Sequence, residues 1–232
     1  MKDYSFLFLL LISTLGFSQN KNAVGFENDD NYREDQFYAS ITYNLINEKP
    51  SGVKQSGFSS GFHLGFIRDM PINKMRNKAI GIGLGVSSNS YNQKNLLINE
   101  DNNLVDFSII DEDDFNVSKN KFTTYLIELP IEFRWRTSNS EDYNFWRIYP
   151  GFKVGYLVYN STKFLSDVTN VKIKNLDYFN TIQYGLTLSA GYSTWNFHMY
   201  YGLNSIFSSE AQLNDEHVNM KSFKIGIMFY IL

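Results

Sequence analysis

The sequence predicts an all-β protein, an eight-stranded antiparallel transmembrane β-barrel of the outer-membrane type with up-and-down topology and periplasmic termini. Three observations carry the prediction: period-two alternation of apolar and polar side chains in eight segments, long and short connections in strict rotation, and an N-terminus built for export ahead of an aromatic-rich chain. In a membrane-spanning barrel strand, outward residues meet lipid and inward residues meet a polar lumen, so alternation is the expected signature.

The segments run over residues 36–46, 59–68, 78–89, 122–136, 145–160, 178–192, 195–204 and 219–232. In the first, Phe37, Ala39, Ile41, Tyr43 and Leu45 alternate with Tyr38, Ser40, Thr42 and Asn44. The second puts His63 on its inward face and the seventh His198. The third contains AIGIGLG, with Ala79, Gly81, Gly83 and Gly85 on one face, which leaves room for large lumenal neighbours from adjacent strands.

The fourth segment includes YLIELPIEFRWRT, residues 125–137. Tyr125, Ile127, Leu129, Ile131, Phe133 and Trp135 share one face, and charge falls on the alternate positions. With the apolar face toward lipid, Glu128, Glu132 and Arg134 point into the lumen, where the fifth segment adds Arg147 and Lys153 and the eighth adds Lys224. Side chains just fill the interior of an eight-stranded barrel. An unpaired charge there is expensive, so a salt-bridged plug is expected in place of a wide pore. In the last segment Ile225, Ile227, Phe229 and Ile231 form the more apolar face, while Tyr230 and Leu232 alternate with them, so its facing is ambiguous.

Aromatic residues make up 17% of the chain, with 20 Phe and 16 Tyr, a surplus that two interfacial girdles would use. Tyr125, Phe133, Trp135, Trp146, Trp195 and Phe197 are the candidate lipid-facing belt. In TWNFHMYYGLN, Trp195, Phe197, Met199, Tyr201 and Leu203 share a face that could also be a sugar-stacking groove. Strict alternation beside the two-residue turn Ser193-Thr194 favours a lipid-facing stripe with Trp195 at the periplasmic interface.

The gaps between segments give the orientation. Residues 47–58, 90–121, 161–177 and 205–218 form connections longer than any of 69–77, 137–144 and 193–194. Short periplasmic turns and longer external loops are the habit of outer-membrane barrels, whereas a Greek-key sandwich has no reason to sort its loops in this way.

Lys2 precedes an apolar run, FLFLLLISTLGF, too short to span a bilayer and suited to a secretory signal. Gly16 and Ser18 place cleavage before Gln19, which gives a signal peptide over 1–18, a periplasmic N-terminal segment over 19–35 and the barrel domain over 36–232. Cysteine is absent, which removes a lipoprotein anchor, disulfides and thiol catalysis. The net charge of −3 and the lack of a basic block give no support for nucleic-acid binding.

FHLGFIRDMPIN with RNKAIGIGLG, YLIELPIEFRWRT, FWRIYPGFKVGY, QYGLTLSAGYSTWNFHMYYGLN and the C-terminal FKIGIMFYIL resemble the PorT-like outer-membrane β-barrel proteins of Bacteroidota. The resemblance extends from about Phe37 to Leu232 and is weakest over 99–114. It implies an outer-membrane address and a setting in type IX protein secretion or gliding, and it carries no catalytic residues. The chain departs from the many barrels that end in Phe, since it closes on Tyr-Ile-Leu.

Chemistry has few candidates. Of three histidines, His217 lies in the last external connection beside Asp215 and Glu216, with Ser208 and Ser209 nearby, the raw material of a rim hydrolase. Nothing in the sequence fixes their geometry, and a lumenal hydrogen-bond network is the ordinary role for His63 and His198. Glu100, Asp101, Asp106 and Asp111 to Asp114 make an acidic loop without the spacing of a calcium site, so it reads as a solvated charge run. No cofactor or metal is expected. The expected partners are outer-membrane lipid, lipopolysaccharide and envelope or secretion proteins. The expected function is a non-enzymatic scaffold or accessory barrel, with a small-solute channel and a rim hydrolase as alternatives.

Overall fold

A computed structural model describes residues 35–101, 104–111, 116–137 and 145–231. The signal-peptide reading over 1–18, the segment over 19–34 and Glu112 to Asp114 of the acidic loop lie outside the described residues. No described helix is long and apolar enough to cross a membrane, which says nothing of strands.

Among the described residues thirteen strands follow one another. They are β1 (Gln36–Asn47), β2 (Ser60–Pro71), β3 (Lys78–Asn92), β4 (Leu96–Asp101), β5 (Leu104–Ile109), β6 (Val117–Arg136), β7 (Trp146–Ser166), β8 (Asn170–Lys174), β9 (Ile182–Tyr192), β10 (Trp195–Gly202), β11 (Gln212–Leu213), β12 (Glu216–His217) and β13 (Lys221–Ile231). Eight of them pair in the order β6-β3-β2-β1-β13-β10-β9-β7, and β6 pairs with β7 to close the ring. Every wall pairing is antiparallel, including β1 with β13, which joins the first and last of the described strands. The short connections gather at one rim, the turn end. The long ones gather at the other, the loop end.

Alternation becomes two chemically different surfaces. Along β6 every even residue from Phe122 to Arg136 is buried, while the odd residues from Tyr125 to Trp135 are exposed. β13 resolves its ambiguity the same way: Ile227 and Ile231 point out, while Lys224, Met228 and Tyr230 point in. A closed ring also leaves no wall strand with an open edge.

The inward glycines make space for their neighbours. A Cβ on Gly81 would lie 2.7 Å from Arg134 Nε. On Gly85 it would collide with the Tyr38 hydroxyl and come within 2.6 Å of the Leu64 carbonyl oxygen, a backbone atom with little freedom to retreat. Gly85→Val is therefore expected to destabilise the barrel by about 1–3 kcal/mol through overpacking. The midpoint for urea unfolding of the refolded protein checks this, and a wild-type midpoint would refute it.

β6 and β7 run well past the membrane-length part of the wall and carry β8 on their loop-end extension. β7 contains a bulge at Val158: Tyr125 pairs with Tyr159, yet Leu126 pairs with Leu157. The extra residue reverses the facing of β7, so Tyr149 and Lys153 point inward before it and Thr162 and Phe164 after it.

The long connections are not merely solvated. Val53, Leu96, Ile98, Phe107, Phe179, Ile206, Phe207 and Leu213 pack with Tyr91, Phe122 and Met220 into one apolar core at the loop end. Phe207 is fully buried, with ring centroids 4.6 Å from Phe179, 5.2 Å from Phe122 and 5.5 Å from Phe107. The acidic connection forms the β4–β5 hairpin, which commits Leu96, Ile98 and Phe107 to this cap. A purely solvated loop is thus corrected to a hairpin with one buried apolar face.

Candidate functional site: the filled lumen

All six candidate lumenal charges are buried in the barrel interior: Glu128, Glu132, Arg134, Arg147, Lys153 and Lys224. Two more join them, Asp69 from β2 and Arg136 from β6. Asp69 has the same strand parity as His63, and that was its signal in the sequence. Among the described residues, three buried carboxylates therefore face five buried bases.

The charges form two layers. Near the turn end, Asp69 is the hub: Arg136 donates to it through Nη1 at 2.7 Å and Nη2 at 2.8 Å, and Arg134 Nη1 donates at 3.0 Å. Arg136 Nε donates to the Arg76 carbonyl at 3.1 Å, tying this layer to the short β2–β3 turn. Arg134 Nε donates to Glu132 at 3.1 Å, and the Tyr230 hydroxyl lies 3.1 Å from both Glu132 Oε1 and Ser189 Oγ. Bidentate guanidinium–carboxylate geometry is the strong, directional form of such a contact.

Arginines in this layer also lie against rings. The guanidinium of Arg134 sits 4.9 Å from the Tyr149 centroid, and that of Arg147 sits 4.5 Å from Phe145 and 5.5 Å from Tyr230. Ring faces offset part of the excess positive charge where carboxylates run out.

In mid-barrel Glu128 is the hub. Lys153 Nζ donates to Glu128 Oε2 at 3.0 Å, and His63 Nδ1 lies 3.1 Å from both carboxylate oxygens. Lys224 stands 4.8 Å from the Tyr200 ring centroid. His198 Nδ1 lies 2.8 Å from Ser189 Oγ, which links this layer to Tyr230 in the first. Above it, Thr42 donates to Asn44 at 2.8 Å and the Tyr91 hydroxyl meets Ser222 Oγ at 2.7 Å. The apolar cap begins there.

On the outer wall the six candidate belt residues are all exposed. Tyr125 stands toward the loop end, its ring 5.5 Å from Tyr159. Trp135, Trp146 and Trp195 gather at the turn end, where Trp146 meets Tyr192 at 5.4 Å and Trp195 meets Phe229 at 4.7 Å. Phe133 and Phe197 lie just inside that girdle. The stretch from Tyr125 to Trp135 matches the length of a tilted strand crossing a bilayer, about 9–11 residues.

Among the described residues His217 and Ser208 are each bonded to backbone carbonyls and not to one another. His217 is exposed, with Nδ1 3.2 Å from the Ala211 carbonyl oxygen, and Ser208 contributes its backbone N–H to the Tyr178 carbonyl. Among the described residues no group of three or more His, Asp or Glu is placed to hold a metal ion.

The sequence matches the family described as outer membrane protein beta-barrel domain over residues 17–208. No curated relative matches it. Among solved structures it is similar to Ail, the attachment invasion locus protein of Yersinia pestis, with 15% identity, 85% of this chain and 97% of that chain covered, and a TM-score of 0.38. It is likewise similar to Ail in complex with the heparin analogue sucrose octasulfate, with 14% identity, 86% and 99% coverage and a TM-score of 0.40. With a closed eight-strand wall, a polar interior, an apolar exterior and a family match over most of its length, this chain belongs to the outer membrane protein beta-barrel domain family.

Proposed function

We propose that the protein is a non-conducting, non-enzymatic scaffold or accessory barrel of the outer membrane. In this reading the turn end faces the periplasm and the loop end faces outward, and the protein acts through these two rims on envelope partners. One observation carries it: the interior is occupied twice over, by two hydrogen-bonded charge layers and then by the apolar cap. A solute path would require Asp69 and Glu128 to part from their bases and the Phe107, Phe122, Phe179 and Phe207 rings to separate. The resemblance to PorT-like barrels supplies the setting, type IX secretion or gliding.

Two measurements test this function. Purified protein in planar bilayers is expected to show no steady conductance at the level of a general porin, and steady porin-like conductance would end the scaffold reading. Deletion of the gene is expected to reduce the surface proteins exported by the type IX system. Unchanged export would remove the secretion setting and leave the closed barrel intact.

A further inference from the structure

Five lysines share one patch on the outer face of the wall, just beyond the Tyr125–Tyr159 ring pair. Cross-strand register builds it in three rows. Thr123, Ser161 and Lys174 form the first row, Lys121, Lys163 and Lys172 the second, and Lys119, Leu165 and Asn170 the third. None of these nine positions holds a carboxylate. Among the described residues none of the five ammonium groups has an ion-pair partner, unlike Lys221, which donates to Glu48 at 2.8 Å.

Like charges directly opposite one another destabilise a sheet. Lys163 is flanked by Lys121 on one strand and Lys172 on the other, the worst arrangement for a free surface and a good one for holding an anion. Burial lowers the proton affinity of the Lys121 ammonium, and the Lys119 and Lys163 charges lower it further.

Position identifies the anion. Four residues of strand separate Lys121 from Tyr125, roughly 13 Å along the chain and about 10 Å in height for a tilted strand. That is headgroup level, on the side that faces lipid. Beside Lys119 opens a cavity of about 330 Å³, lined by Ser56, Gln93, Lys94, Val117, Ser118 and Asn120, in which the buried Gln93 side-chain amide makes no hydrogen bond among the described residues and is the group a sugar hydroxyl would meet.

We propose that Lys119, Lys121, Lys163, Lys172 and Lys174 bind the phosphates of a phosphorylated glycolipid of the outer leaflet, lipopolysaccharide, with its sugar against the adjoining cavity. This assignment rests on the orientation proposed above, with the loop end outward.

The test titrates bisphosphorylated lipid A, enzymatically dephosphorylated lipid A and inorganic phosphate into the refolded full chain. It compares wild type with the triple variant Lys121→Gln/Lys163→Gln/Lys172→Gln, its Lys→Arg counterpart, and Lys78→Gln at the turn end as a control. Each juxtaposed lysine is worth roughly fivefold in affinity for an anionic lipid surface. The Gln triple is therefore expected to weaken bisphosphorylated lipid A binding by at least about tenfold, with the Arg triple and Lys78→Gln close to wild type. Dephosphorylated lipid A should bind wild type no better than the phosphorylated form binds the Gln triple.

Equal binding by the Gln triple, or equal binding of the dephosphorylated lipid, overturns the assignment. Displacement of lipid A by millimolar inorganic phosphate also overturns it, since the patch would then be a free-anion site. Heat-modifiable migration is recorded throughout. A folded band without lipid discrimination defeats the lysine site alone, whereas its absence from wild type defeats the barrel reading and the site together.

Discussion

Asp69→Asn is expected to lower the unfolding free energy of the barrel by about 3–5 kcal/mol, because it strips the shared counter-charge from two fully buried guanidinium groups. Arg136 would lose a bidentate partner and Arg134 one of its two carboxylates. The penalty comes from the charges left behind more than from the contacts removed. A double variant, Asp69→Leu/Arg136→Leu, removes one charge of each sign and leaves Arg134 paired with Glu132, and should therefore recover most of the loss. Urea titration of refolded protein, followed by the heat-modifiable band, separates the possibilities. A wild-type midpoint for Asp69→Asn, or a double variant as unstable as the single, would show that the layer is not held together by this hub.

Phe207→Ala should act at the other end of the molecule and by another mechanism. Phe207 is fully buried and touches Phe107, Phe122 and Phe179, so its truncation removes a large apolar surface and leaves a cavity where three connections meet. The expected loss is about 3–5 kcal/mol of cap stability. Opening of the loop end is local, and the wall below it has its own closed ladder of hydrogen bonds. The loss should thus appear as cleavage of the loop-end connections accelerated by two orders of magnitude or more, while the barrel band persists. Unaltered cleavage in vesicles would mean that the cap does not depend on this ring.

The wall was legible in the sequence because a strand with water-like and lipid-like sides states its facing at every second residue, as Tyr125 to Trp135 do. Strand ends were harder to read. β6 starts at Val117, five residues before the expected start at 122, since Lys119, Asn120 and Lys121 look like loop to any pattern of apolar spacing. β7 continues to Ser166 because the bulge at Val158 breaks the period that would have extended it from 160.

The candidate charges were legible one at a time, while their partners were not. Glu128 meets His63 from 65 positions away and Lys153 from 25, distances that only barrel closure fixes. Asp69 shared its parity with His63, yet a single acid at the end of a strand reads equally well as part of the turn. The cap was hidden for a third reason. Leu96, Ile98 and Phe107 alternate in their hairpin, but the acids around them dominate the composition. Phe179, Ile206 and Phe207 come from connections with no periodicity at all.

The bulge at Val158 has a consequence for how this sequence can vary. The wall is written in two reading frames joined at that residue: odd positions of β7 enter the interior below it and even positions above it. Beyond it, one frame delivers Thr162 and Phe164 inward and the other delivers Lys163 outward. Because side chains alternate with a period of two, a single inserted or deleted residue between the bulge and Lys163 would exchange those assignments, sending the lysine toward the apolar cap and the phenylalanine toward the surface. Length changes in this stretch therefore preserve the protein's chemistry only in steps of two.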